Sequence, residues 1–167
     1  MIEIKKTDNI SVNHSIDKEL LRSNISRIKS LMFGRISEGI HEIQKILAEC
    51  GVAFQVVKNF RGAPVQGFIK ESSDGKLILC LTIRGKRADR FWFTLFHEIA
   101  HILNGDYKMR FVDFDSVQGK AEQIADQYAG DTLISPELYR KFILSRDCTS
   151  WDRIVAFAET ADVKPFI

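Results

Sequence analysis

A chain of 167 residues, 45% hydrophobic and 28% charged, can bury a core of its own in one domain, and its composition is that of neither a disordered nor a membrane-embedded protein. A formal net charge of +2 gives no general attraction to polyanions, so direct nucleic-acid binding is not expected. Cys50, Cys80 and Cys148 are odd in number and lack a C-x-x-C spacing, and the start MIEIKKTDNI has no apolar leader; both features point to a cytoplasmic protein without a disulfide framework or membrane attachment.

Residues 1–12 carry no periodic signal and read as a short arm. From His14 to about Leu31 the spacing of Ile16, Leu20, Ile28 and Leu31 predicts a helix. A second helix is predicted from Ile36 to about Cys50 by Ile36, Ile40, Ile43 and Leu47, with Gly51 as its stop and His41 off the apolar stripe. The pattern then shortens. Ala53–Val57, Val65–Glu71 and Lys76–Ile83 read as three strands, the last two a hairpin across Ser72-Ser73-Asp74-Gly75. The loop RGKRADR that follows is basic, which suits either a solvated turn or a clamp for an acidic segment.

The next helix, about Arg90 to Asn104 with Asp89 as N-cap and Gly105 as terminator, contains FWFTLFHEIAHIL. An apolar helix does not bury two histidines and a glutamate without partners, because unpaired polar groups there cost on the order of 1–3 kcal/mol each. His97, Glu98 and His101 spell H-E-x-x-H: the histidines, four apart, share one face and can reach one metal ion, while Glu98 stands about 100° round from His97, where it can touch a water on that metal. Beyond a linker from Asp106 to Asp115, a helix is predicted from about Val117 to Leu133, another from Ser135 and Pro136 to about Leu144, and a last from Ser150 to Thr160 with Trp151, Ile154, Val155 and Phe157 or Ala158 as its apolar side; VKPFI reads as an extended end. The expected class is α+β, a three-stranded sheet against a bundle of about five helices, with residues 1–35 an arm and helix ahead of a domain over 36–167, together one compact unit.

Catalytic zinc takes three protein ligands and leaves a fourth position open. The extended H-E-x-x-H-x-x-G-x-x-H class is excluded by Asn104 and Tyr107, and no histidine follows His101, so the third ligand should be a carboxylate. Asp106 is too near His101 to fold back readily onto the same ion, and Asp113 and Asp115 are expected in an alternating loop or strand as solvated groups. Glu122 is best placed, on a helix whose Ala121, Ala125 and Ala129 permit close approach and far enough downstream to lie antiparallel to the first. Asp126, one turn on, is placed to accept the other ring N–H of a liganding histidine, the alternative being a surface salt bridge with Lys120 or Arg140. Tyr107 and Tyr128 stand as candidates for oxyanion or substrate contacts, though spacing alone favours packing for both. The strand 76–83, directly before the histidine helix, offers an expected edge for an extended peptide.

DRFWFTLFHEIAHIL, followed by E-x-x-A-D-x-Y-A over Glu122 to Ala129 and LISP over Leu133 to Pro136, resembles the ImmA/IrrE metallopeptidase family over about residues 36 to 160. The resemblance implies a small gluzincin-like zincin fold binding one Zn²⁺ through His97, His101 and Glu122, with Glu98 as the catalytic glutamate. It also implies a protein partner, a helix-turn-helix repressor-type regulator in a phage, mobile-element or stress and addiction module, which such an endopeptidase would cleave. The 35 residues before Ile36 are too few for a complete helix-turn-helix domain, so the resemblance is to a stand-alone member. A non-proteolytic module that holds its partner while keeping the zinc is the alternative, since it would carry the same motif residues.

Overall fold

The computed structural model describes residues 15–58, 66–73, 75–83, 87–107, 115–146 and 148–167. Their order is α1 (Lys18–Ser30), a 3₁₀ turn (Leu31–Phe33), α2 (Ile36–Glu49), β1 (Val52–Lys58), β2 (Gly67–Glu71), β3 (Leu77–Ile83), α3 (Ala88–Asn104), α4 (Asp115–Leu133), α5 (Pro136–Ile143) and α6 (Trp151–Thr160). This is the mixed α+β layout expected, with six helices among the described residues. No helix among them is long and apolar enough to cross a membrane.

The sheet has the order β1-β3-β2, with β1 parallel and β2 antiparallel to β3. The antiparallel pairing expected of the 65–71 and 76–83 hairpin is thus seen over Gly67–Glu71 and Leu77–Leu81, with Val65 and Asp74 outside the described residues, but β3 is the central strand and not an edge. Its sequence explains this: Leu77, Leu79, Cys80 and Leu81 are all buried, the near-continuous apolar run of a strand covered on every side. The charged strand β2, with exposed Lys70 and Glu71, takes an edge instead. Across the sheet Leu81 is registered between Val56 and Gly67, and Leu79 between Phe54 and Ile69.

Helix α3 is the hub. It packs on β2 and β3, on α1 and along α4, burying Trp92, Leu95, Phe96, Ile99 and Ile102. Ala125 and Ala129 on α4 are fully buried, the small residues that let the two backbones approach. Arg87, not Asp89, occupies the N-cap of α3; Asp89 lies in the first turn and binds the Arg87 guanidinium, which holds its carboxyl below the usual range. The other end is closed by Gly105 at φ 78°, whose N–H bonds the His101 carbonyl at 2.9 Å, and by Lys18, whose Nζ donates to the Leu103 carbonyl at 3.0 Å.

Several local expectations change. On α1 the buried residues are Leu21 and Ile28, spaced i and i+7, while Leu20 turns outward, because α1 rests its stripe on α2 and α3 together. Helix α4 starts at Asp115, a residue expected in a loop or strand; Asp113 lies outside the described residues. Ser135 holds the N-cap of α5 without a side-chain cap bond. Trp151 is exposed, and α6 buries Ala158. The end is not extended: the Val163 N–H returns to Ala158 and that of Ile167 to Lys164. The core cluster joins Leu21 and Ile28 of α1 to the sheet, α3 and α4, so the amino-terminal helix shares the core of the rest. Leu21→Ala should cost about 2–5 kcal/mol of unfolding free energy in urea titration, whereas Leu20→Ala should stay within about 0.5 kcal/mol.

Candidate metal centre

The two histidines of α3 sit where the helix passes between β2 and α4. His101 is fully buried and the His97 side chain is 12% exposed, so neither imidazole is dissolved in water and each must be satisfied by protein groups. His97 Nδ1 lies 2.8 Å from Asp126 Oδ1, and His101 Nδ1 lies 2.7 Å from Asp106 Oδ1. A carboxylate accepts, so both Nδ1 atoms carry the proton and donate; in the neutral ring this leaves Nε2 with its lone pair.

Those lone pairs converge. His97 Nε2 and His101 Nε2 are 3.2 Å apart, and Glu122 from α4 brings Oε2 to 3.1 Å from the first and Oε1 to 3.5 Å from the second. Three ligands of a tetrahedral ion at about 2.0–2.1 Å stand about 3.3–3.4 Å from one another, which is this spacing. In the neutral rings these lone pairs and the carboxylate would repel at such distances, and a proton on Nε2 or a metal ion relieves that. His97, His101 and Glu122 could therefore hold a metal ion. The donor set of two neutral imidazoles and a carboxylate is chemically suited to zinc and to other borderline divalent ions. The Glu122 side chain is 34% exposed, so the cluster opens toward solvent on the α4 side.

Asp126 lies at hydrogen-bond distance of His97, and among the described residues no ion pair joins it to Lys120 or Arg140. Asp106, expected too near His101 to fold back onto the same ion, is the hydrogen-bond partner of that ring's Nδ1. The left-handed turn at Gly105 folds the chain back and returns Asp106 to the last turn of α3, a route set by one backbone angle and not by side-chain periodicity. Tyr107, next in sequence, is buried in the core. Tyr128 stands about 120° round α4 from Glu122; burial pushes its phenol up, and its hydroxyl bonds Thr132 on the same helix.

Glu98 is 2% exposed and packs under the start of β2. A Cβ at Gly67 would fall 2.8 Å from both Cγ and Oε1 of Glu98 and 2.9 Å from Leu81 Cδ2. Only glycine lets β2 pass this close, so Gly67 belongs to the site although no reactive group marks it. Its signal in the sequence is a glycine inside a strand, which often denotes close approach.

Compared with models of protein families and with curated proteins, the chain finds no match.

Asp106→Ala and Asp126→Ala should each weaken metal binding about 10–100-fold, read by competition with a chromophoric chelator. Gly67→Ala should destabilise the fold by about 1–3 kcal/mol in urea titration, as Glu98 and Leu81 are forced aside.

Proposed function

We propose that this protein is a zinc-dependent endopeptidase that cuts a partner regulator. The observation that carries the reading is the convergence of two imidazole lone pairs and the Glu122 carboxylate at 3.1–3.5 Å, each imidazole locked by its own aspartate, with Glu98 next to His97 on the same helix. Zinc bound there would supply Lewis acidity toward a carbonyl and bring the pKa of water toward about 7.

The remaining chemistry belongs to the chain. Glu98 takes the proton of the attacking water and delivers it to the leaving amine, one carboxylate serving both steps. Asp126 and Asp106 hold the Nδ1 side of each ring and so aim both Nε2 atoms at one point. The pairing of β2 with β3 makes Gln66 a hydrogen-bonded partner of Thr82, through the Thr82 N–H at 2.8 Å, so the alternating Gly67 and Ile69 direct their backbone N–H and C=O away from β3. An extended peptide added along this edge runs beside Glu98, and main-chain bonds position its carbonyl. β2 thereby takes the role expected from sequence of β3.

That the peptide belongs to a repressor-type DNA-binding protein of a phage, mobile-element or stress module is supported by the sequence resemblance over residues 36 to 160. Mixed with the regulator encoded beside it, the zinc-loaded protein should produce one chelator-sensitive cut. Glu98→Gln should keep one zinc per chain and an unchanged circular dichroism spectrum while lowering cleavage by at least about 100-fold. Cleavage at the wild-type rate by this variant would overturn the mechanism. Regulation in cells that is unaffected by Glu98→Gln, with the regulator left uncut, would instead establish the non-proteolytic binding module.

A further inference from the structure

Beside the contact of β2 with Glu98, toward the start of α3, lies a recess of about 20 Å³ lined by Gln66, Leu81, Thr82, Arg87, Arg90, Phe91 and Thr94. Leu81 and Phe91 are buried and form an apolar floor, while the rim is polar. The volume admits a group the size of a carboxylate and excludes a ring. Gln66 immediately precedes Gly67, and Thr94 lies one helical turn before Glu98, so the recess neighbours the same strand and helix.

The two arginines here differ. Arg87 is occupied by Asp89. Arg90 is exposed, and among the described residues no ion pair engages its guanidinium. Such a cation at the rim of a carboxylate-sized recess, with threonine and glutamine groups around it, is complementary to an acidic side chain, which a guanidinium can bind through two parallel bonds. Arg90 precedes His97 by seven positions, about 10 Å along the helix axis. An extended peptide covers that in about three residues.

We infer that Arg90 is a specificity residue that selects substrates with an aspartate or glutamate about two to four residues from the scissile bond, on the side facing the start of α3. This rests on the peptidase reading of the same cleft. The recognition is electrostatic and made in partly solvated surroundings, so its effect is a preference of about three- to ten-fold and not an absolute requirement.

A randomised dodecapeptide pool offered to zinc-loaded Glu98→Gln protein, with retained peptides sequenced by mass spectrometry, tests this without requiring turnover. Acidic residues should be enriched about three- to ten-fold. Arg90→Ala in the same background should flatten the enrichment, and Arg90→Glu should invert it toward lysine and arginine. Charge reversal at Arg153, exposed on α6, should leave the profile unchanged. Thermal melting checks that each variant is folded. Enrichment that survives Arg90→Glu, a profile with no acidic preference, or the retention of no peptide overturns the inference. Acidic enrichment that responds to Arg90, in peptides that the zinc-loaded wild-type protein leaves uncut, sustains the selectivity and overturns the peptidase reading instead.

Discussion

Two imidazole nitrogens 3.2 Å apart, with a carboxylate closing the triangle, can serve one cation only if all three are held in one geometry. The fold has to fix these groups. It does so by burying the helix that carries them. His101 has no room to swing away, because Ile99, Ala100 and Ile102 around it are packed, and α4 is drawn against α3 through Ala125 and Ala129. The rigidity of an apolar core is thus used to fix polar atoms, and Asp106 and Asp126 complete the fixing by choosing which nitrogen of each ring is protonated.

The two sides of the centre are built differently. On the sheet side, Gly67 and Leu81 enclose Glu98 so closely that one added carbon would displace it. On the α4 side, Glu122 and Asp126 stay partly in solvent. The cluster is thus enclosed beside Glu98 and open to solvent beside Glu122.

Much of this was legible in the sequence because it depends on helical periodicity. His97 and His101 share a face by spacing alone, and Glu122 with Asp126 repeat the same spacing on a helix marked by its alanines as a close packer. What was not legible depends on the path of the chain between elements. Asp106 reaches His101 only because Gly105 adopts a left-handed angle, and an aspartate five residues after a histidine carries no such message by itself. The place of β3 at the centre of the sheet is a long-range pairing decision, and only the continuous KLILCLTI run hinted at it. Leu20 and Leu21 are adjacent and equally apolar; which one is buried is set by how α1 straddles α2 and α3. The approach of Gly67 to Glu98 joins residues far apart in sequence, one of them without a side chain.

Helix α1 is keyed into the fold at two points. At its start, the Asp17 N–H bonds the Cys50 carbonyl and the Ser15 backbone lies so close to Gly51 that a Cβ there would sit 2.6 Å from it. Along its length, Lys18 caps the Leu103 carbonyl, next to the turn that brings Asp106 back to His101. Lys18 thereby ties α1 to the end of α3 that carries His101, so the docking of α1 and an ion held by His97, His101 and Glu122 would support the same end of the helix.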